Sequence, residues 1–427
     1  MATTGEVEPQ IQVRFHTRHA KYSVTDAAIL VPTKLRRYGL SEIINHLLAL
    51  DRPVPFDFLI DGQFLRTSIQ TYLDDNGRSS EQVVDIEYVE SALPPQQSAA
   101  LKHDDWISIV RGHRQHPLIL SGSYDNTARI WDRSGNCVGS LAGHDAAVKA
   151  LSWLASEDGD ILQCFTGSQD ERVIAWNIST LDFSSESLYE CVGHKGSIEG
   201  IAVNTAATHM ATASYDSTIK IWTVDADDIE EDDTQREDAP KRRKTNVPKM
   251  AVKLASETLE GHQGAVSSVV FHQETGSQIL YSGGWDHSVR LWDVSVGSNI
   301  STMNCERVIT SIDHSAQSEL LVTGHADPLI RLWDPRSREG MVVKLRLGGH
   351  ANWVSSVAWA PNSLYNLVSG SYDGTVKVWD IRSTTPLYTL SGSSEPEQKV
   401  FGVDWVGNLI LSGGEDTLLR IHQAKQL

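Results

Sequence analysis

Polar and apolar positions alternate through TARIW, residues 127–131, and again through TVKVW, residues 375–379. A period of two sets alternate side chains on opposite faces of a β-strand. Each such run follows a short polar stretch that contains an aspartate. The full phrase is SGSYDNTARIWD at residues 121–132, and it returns as TGSQDERVIAWN, TASYDSTIKIWT, SGGWDHSVRLWD, TGHADPLIRLWD, SGSYDGTVKVWD and SGGEDTLLRIHQ. The pattern predicts one hairpin per copy, with the aspartate in the tight turn.

Fixed positions recur within the phrase. A hydroxyl residue opens each copy: Ser121, Thr166, Thr212, Ser282, Thr323, Ser369 and Ser412. Four residues on stand Asp125, Asp170, Asp216, Asp286, Asp327, Asp373 and Asp416. Ten residues after the hydroxyl comes tryptophan, except in the seventh copy, which has His422. Gly-His pairs precede several copies, at His144, His194, His262 and His350, and His103 aligns with them without the glycine. The fifth and seventh copies lack that histidine.

The copies recur about every 41 to 46 residues, except for a stretched interval between the third and fourth, and this is the period of a WD-repeat propeller. Seven copies predict seven four-stranded blades closed in a ring, because a blade buries its faces only against its neighbours. His, Ser/Thr, Asp and Trp at these spacings can form a hydrogen-bonded set that locks each blade. The segment LKH, residues 101–103, is expected to supply the last strand of blade seven and so remove an open sheet edge.

Residues 10–90 follow a different pattern. IQVRFHTR, KYSVTDAAILVP and FDFLIDG read as strands, with a turn at Asp61-Gly62. LSEIINHLLAL has helical spacing, with Ile43, Ile44, Leu47 and Leu48 on one face and Ser41 as its N-cap. FLRTSIQTYLDDNG gives a short strand and a turn of helix. EQVVDIEYV gives a final strand, with Val84, Ile86 and Tyr88 inward and Asp85 and Glu87 towards water. This order predicts a small α+β ubiquitin-like (β-grasp) domain. The chain is therefore read as mainly β: a ubiquitin-like domain at 10–90, a linker at 91–100 and a seven-bladed propeller at 101–427. The last strand runs on into EYVESALPP without a Gly-Gly end, which favours a docking domain over a conjugated modifier.

Composition changes this picture little. The chain has 427 residues and a formal net charge of −18, so its overall field disfavours phosphate backbones. Its four cysteines are far apart and form no CxxC pair, which suggests reduced thiols in an intracellular protein. The N-terminus is polar and acidic and does not read as a signal peptide, and no apolar run is long enough for a membrane span.

One insert stands out at about residues 224–251. An acidic run from Asp225 to Asp233 precedes Lys241, Arg242, Arg243 and Lys244. It is expected to be a disordered loop hanging from the face opposite the turn aspartates. KRRK reads either as a nuclear localisation signal or as a solvated charge run.

The recurring His, Asp and Ser invite a hydrolase reading, but an enzyme needs one activated nucleophile rather than one per blade. No phosphate loop, GxSxG or HExxH occurs. The residues before several turn aspartates are aromatic, namely Tyr124, Tyr215, Trp285 and Tyr372. They would rim one mouth of the ring, either as a partner surface or as ordinary fillers of that position. Glu81, in NGRSSEQ, falls on a polar loop before the last strand of the small domain, with Asp74, Asp75 and Glu90 as neighbouring carboxylates.

Across nearly its whole length the sequence resembles the WD-repeat subunit family of PeBoW-type ribosome-assembly complexes. The motifs that carry the likeness are LSEIINHLL, PVPFDFLIDGQFLRTSI, SSEQVVDIEYVE and HDDWIS, followed by the propeller and its charged insert. The sibling family, notchless, shares the N-terminal module but has eight blades.

The resemblance implies a non-enzymatic assembly factor for the large ribosomal subunit, needed for precursor rRNA maturation in the nucleolus and nucleoplasm. Its propeller would bind the block-of-proliferation protein, in a trimer with pescadillo, on the pre-60S particle; direct contact with rRNA is left open. Its ubiquitin-like domain would dock on the metal-ion-dependent adhesion-site (MIDAS) domain of the ATPase midasin, which releases the factor. Glu81 would complete, in trans, the coordination of that domain's divalent metal, with Mg²⁺ as the expected ion; no cofactor of its own is implied. The resemblance also favours KRRK as a nuclear signal. Readings from other classes are a WD-repeat substrate adaptor of a ubiquitin ligase, although no F-box-like segment is present, and an enzyme.

Overall fold

The computed structural model describes every residue except 1–8, 51, 80, 92, 155–159, 226–249, 275, 337–342, 394, 396–397 and 425–427. The chain divides between Leu93 and Pro94 into two compact units.

The first unit contains strands β1 (Gln10–His16) and β2 (Ile29–Pro32), helix α1 (Arg37–Leu48), strands β3 (Phe56–Ile60) and β4 (Gln63–Phe64), helix α2 (Ile69–Asp75) and strand β5 (Val84–Glu90). The sheet order is β2-β1-β5-β3-β4. Strands β1 and β5 lie parallel at its centre, with Val13 opposite Val84 and Phe15 opposite Ile86, which is the β-grasp arrangement. Inward positions alternate along β1 and β5, so Phe15, Phe58, Ile86 and Tyr88 meet in one core with Leu40 and Ile44 of α1. Asp61 and Gly62 both adopt left-handed φ, 52° and 78°, as a tight two-residue hairpin turn requires.

Four local expectations change. KYSVTDAAILVP is a strand only at Ile29–Pro32, and Ala20–Tyr22 makes a 3-10 turn. Ser41 is not the N-cap: α1 begins at Arg37 and its N-cap is Arg36. Gly39, in the first turn, weakens the helical signal there. The Ser41 hydroxyl instead lies inside the helix and accepts the Phe56 N–H at 3.1 Å, tying α1 to β3. Leu47 is 45% exposed while Leu40 and Ile44 carry the buried face. Glu87 is buried rather than turned to water, because the Arg18 guanidinium lies against its carboxylate at 2.9 Å.

Among the described residues the second unit is a ring of seven sheets, each built on four antiparallel strands. Each begins with an innermost strand, from Ile107–Gly112 in blade one to Val400–Val406 in blade seven. Blade seven takes its outermost strand from upstream: β6 (Gln96–Lys102) pairs antiparallel with Leu418–Gln423. The strand therefore includes residues 96–100, which the sequence reading left in the linker. Ile107 and Val110 of blade one pack in one cluster with Val406 and Leu411 of blade seven, which closes the ring.

Blade two carries a fifth strand. Ala251–Lys253 pairs in parallel with Ser185–Cys191, so the insert's expected end at about 251 falls on ordered sheet. Lys253 is buried there, its ammonium bonded to the Asp225 carbonyl and 4.9 Å from the Tyr189 ring centroid. Lys241, Arg242, Arg243 and Lys244 lie outside the described residues.

Candidate functional site

The repeated residues meet in the blade interiors. In blade six, His350 Nδ1 is 2.9 Å from Asp373 Oδ2 and His350 Nε2 is 2.7 Å from Ser369 Oγ. The Trp379 indole N–H donates to the same Ser369 oxygen at 2.8 Å. The complete set recurs as His144–Thr166–Asp170–Trp176, His194–Thr212–Asp216–Trp222 and His262–Ser282–Asp286–Trp292. The aspartate serves twice. Its Oδ2 meets the histidine, while its Oδ1 accepts the N–H two residues on, as in Thr375 to Asp373 at 2.9 Å, and so shapes the hairpin turn. Burial opposes ionisation of Asp373, but bonds from His350, Thr375 and the Ala351 amide hold its carboxyl well below the usual carboxylate range. The same balance holds Asp170, Asp216 and Asp286 low.

The other blades improvise. In blade one, His103 Nε2 lies 2.6 Å from Ser121 Oγ, but its Nδ1 stands 3.8 Å from Asp125. Arg129 bridges Asp125 and Asp104 instead. In blade five His325, only two residues beyond the hydroxyl, reaches Thr323 Oγ1 at 2.7 Å, and Asp327 pairs with Arg331 at 2.7 Å. The fifth copy thus has its histidine on the strand itself, where the Gly-His spacing does not point. In blade seven Asp416 pairs with Arg420, and Ser412 Oγ and His422 Nδ1 are buried with no hydrogen-bond partner among the described residues.

These groups lie in the blade interiors. Ser121, Thr166, Thr212, Ser282, Ser369 and their equivalents have no exposed surface, so no substrate can reach a hydroxyl. Among the described residues no group of three or more His, Cys, Asp or Glu could hold a metal.

The aromatic residues beside the turns do come together. Tyr215 and Trp285 are half-exposed and pack edge to face at 5.6 Å. Tyr124 and Tyr372 both touch the Phe401 ring, at 6.2 and 5.8 Å. Trp106 joins Tyr124 at 5.7 Å and Trp353 stacks on Tyr372 at 5.8 Å. The result is an arc of five rings from blade six through blade seven to blade one. Sequence reasoning missed Trp106, Trp353 and Phe401. Trp106 and Trp353 each stand three residues after an aligned histidine, a signal that was available. Phe401 shows only when the innermost strands are aligned.

In the other unit, Glu81 is exposed in the turn before β5. Its backbone N–H donates to Ser79 Oγ at 3.2 Å. Its carboxylate has no hydrogen bond or ion pair among the described residues.

Seven blades locked from within and a separate β-grasp unit define a WD-repeat propeller protein with an N-terminal ubiquitin-like domain. The NLE (NUC135) domain profile matches residues 11–73, and the WD domain, G-beta repeat profile matches six segments: 96–132, 135–177, 185–223, 255–293, 297–334 and 342–380. The seventh hairpin lies outside those segments, consistent with its missing tryptophan. The chain is 38% identical to the ribosome biogenesis protein WDR12 homolog of Nematostella vectensis, over 97% of this chain and 99% of that protein. It is 36% identical to the Chlamydomonas reinhardtii WDR12 homolog, over 98% of each. Against the ribosome biogenesis protein ytm1 of Schizosaccharomyces pombe, identity is 35% over 97% of this chain and 96% of that protein. The chain belongs to the WDR12/Ytm1 family of ribosome biogenesis proteins.

Proposed function

We propose that this protein is a non-enzymatic assembly factor of the large ribosomal subunit, acting in the nucleus and nucleolus with KRRK as an import signal. The observation that carries the reading is full-length similarity to ribosome biogenesis proteins, spanning both the ubiquitin-like domain and the propeller. In this reading the propeller holds the block-of-proliferation protein, with pescadillo, on the precursor particle. The ubiquitin-like domain docks on the MIDAS domain of midasin. Glu81 supports that docking: it is an exposed carboxylate with no partner of its own among the described residues, and a hard divalent ion such as Mg²⁺ prefers charged oxygen ligands.

The test is binding of the full chain to the purified midasin domain. Removing one member of a desolvated charge contact costs about 2–5 kcal/mol, so Glu81→Ala should weaken binding at least about tenfold. Glu81→Gln should fail too, since it keeps the shape and loses the charge. Chelation of divalent metal should reduce the unaltered chain to the mutant level. Metal-independent binding, or equal binding by Glu81→Ala, rules the role out. Recovery of ubiquitin-ligase subunits in place of pre-60S components on affinity purification would favour the adaptor reading.

A further inference from the structure

The second residue of each innermost strand divides the blades into two groups. In blades one, four, five and six it is a hydroxyl that clasps the next blade. Ser108 donates to the Val148 carbonyl, Ser267 to Ile309 at 2.6 Å, Thr310 to Val354 at 2.5 Å and Ser355 to Val400 at 2.6 Å. In blades two, three and seven the same position holds Lys149, Glu199 and Phe401. Among the described residues none of these makes the clasp. Phe401 is the hub of the aromatic arc, with Trp106 at 6.0 Å and Tyr372 at 5.8 Å. Lys149 and Glu199 line a depression of about 400 Å³ together with Tyr124, Gln169, Ser197 and Tyr215. Among the described residues the inter-blade bond is missing at blades two, three and seven, and there Phe401 and Lys149 lie against the Tyr124 ring of blade one, so the replacement of a stabilising hydroxyl points to a binding surface.

Lys149 sets the chemistry of that surface. Its ammonium donates to the Tyr124 hydroxyl at 2.6 Å and sits 4.6 Å from the centroid of the same ring. Among the described residues it has no carboxylate at ion-pair distance. Glu199 instead accepts the Ser197 hydroxyl at 2.7 Å. Lys399, over the Tyr372 ring, has Glu415 at 3.3 Å. Lys149 is thus a half-buried cation that burial disfavours and the Glu199 charge, acting from beyond ion-pair distance, and the Tyr124 hydroxyl favour, with donors to spare. A half-buried charge gains most from an opposite charge brought in by a partner.

We propose that the mouth sector formed by Trp353, Tyr372, Phe401, Trp106, Tyr124 and Lys149 docks an acidic segment of a partner protein, with an apolar side chain on the rings and a carboxylate on Lys149. The proposal rests on the reading that the propeller holds the block-of-proliferation protein and says where and by what chemistry. Glu199 repels the incoming carboxylate, so its charge tunes affinity downward.

The full chain is titrated with acetyl-Phe-Glu-amide, acetyl-Phe-Gln-amide and acetyl-Phe-Lys-amide, followed by ligand-observed NMR. The acidic peptide should bind at least about fivefold tighter than the other two. Lys149→Met should erase that preference, Glu199→Gln should enlarge it, and Trp106→Ala, at an exposed ring outside the core, should weaken all three. Equal binding of the three peptides, or preference for the lysine form, overturns the proposal. In parallel, Lys149→Met should weaken the purified block-of-proliferation protein at least tenfold; unchanged affinity also overturns the proposal. If the unaltered chain does not bind that protein at all, the partner assignment fails, and the peptide preference alone decides the docking chemistry.

Discussion

Asp373 shows how much one residue carries. Its two oxygens accept bonds from His350, the Ala351 amide, and the Thr375 amide and hydroxyl. Asp373→Ala leaves buried donors without an acceptor, at a cost of about 1–3 kcal/mol. The melting temperature should fall by several degrees in calorimetry while Glu81-dependent binding stays intact; an unchanged melt would refute the structural role. The aspartate, hydroxyl and tryptophan were legible because their spacing repeats. His325 was not, because the fifth blade brings its imidazole to Thr323 from two residues away on the same strand.

At the scale of elements, β6 has the largest consequence. Its residues are the outer strand of blade seven, paired with the chain's last hairpin. A chain beginning at residue 94 keeps the strand, and one beginning at residue 103 exposes the edge of Leu418–Gln423. An unpaired edge invites association between chains. The longer chain should melt as a monomeric propeller, whereas the shorter should melt earlier and aggregate. Light scattering alongside circular dichroism separates the two, and identical behaviour would mean that β6 does not close the ring. The strand Ala251–Lys253 had no comparable signal in the sequence. Three residues after a charged run carry no periodicity, and only the exposed edge of blade two and the buried Lys253 clamp give them a place.

For the whole molecule, acid stability follows from buried histidines. Burial pushes His103, His325 and His422 down to about 4, with His113 at about 4 and His314 at about 3. Below the ordinary value of about 6.5 the unfolded chain takes up protons that the folded chain refuses until about pH 4. Each of these histidines therefore removes up to about 1.4 kcal/mol per pH unit as pH falls through that window. Asp313, which burial pushes up to about 6, acts in the opposite sense, since the folded chain gains its proton first. The turn aspartates, held low, keep their contribution above the ordinary carboxylate value of about 4 and lose it below. The melting temperature should decline from pH 7 to 4 and more steeply below 4. A flat profile between pH 6.5 and 4.5 in a calorimetric series would contradict the histidine account.

By itself the sequence determined the architecture: seven hairpins at a regular period broken once by the charged insert, a β-grasp unit ahead of them and most residues of the buried network. These are local properties, since a period of two specifies a strand and a repeated Asp turn specifies a hairpin wherever it occurs. Only the tertiary structure decided what lies far apart in the chain and close in space. It set the extent and register of the closing strand: the sequence reading places that strand at residues 101–103, whereas Gln96–Lys102 pairs with the last hairpin across more than three hundred residues. It also gathered Trp353, Tyr372, Phe401, Trp106 and Tyr124 into one arc, because the closed ring makes neighbours of its first and last blades.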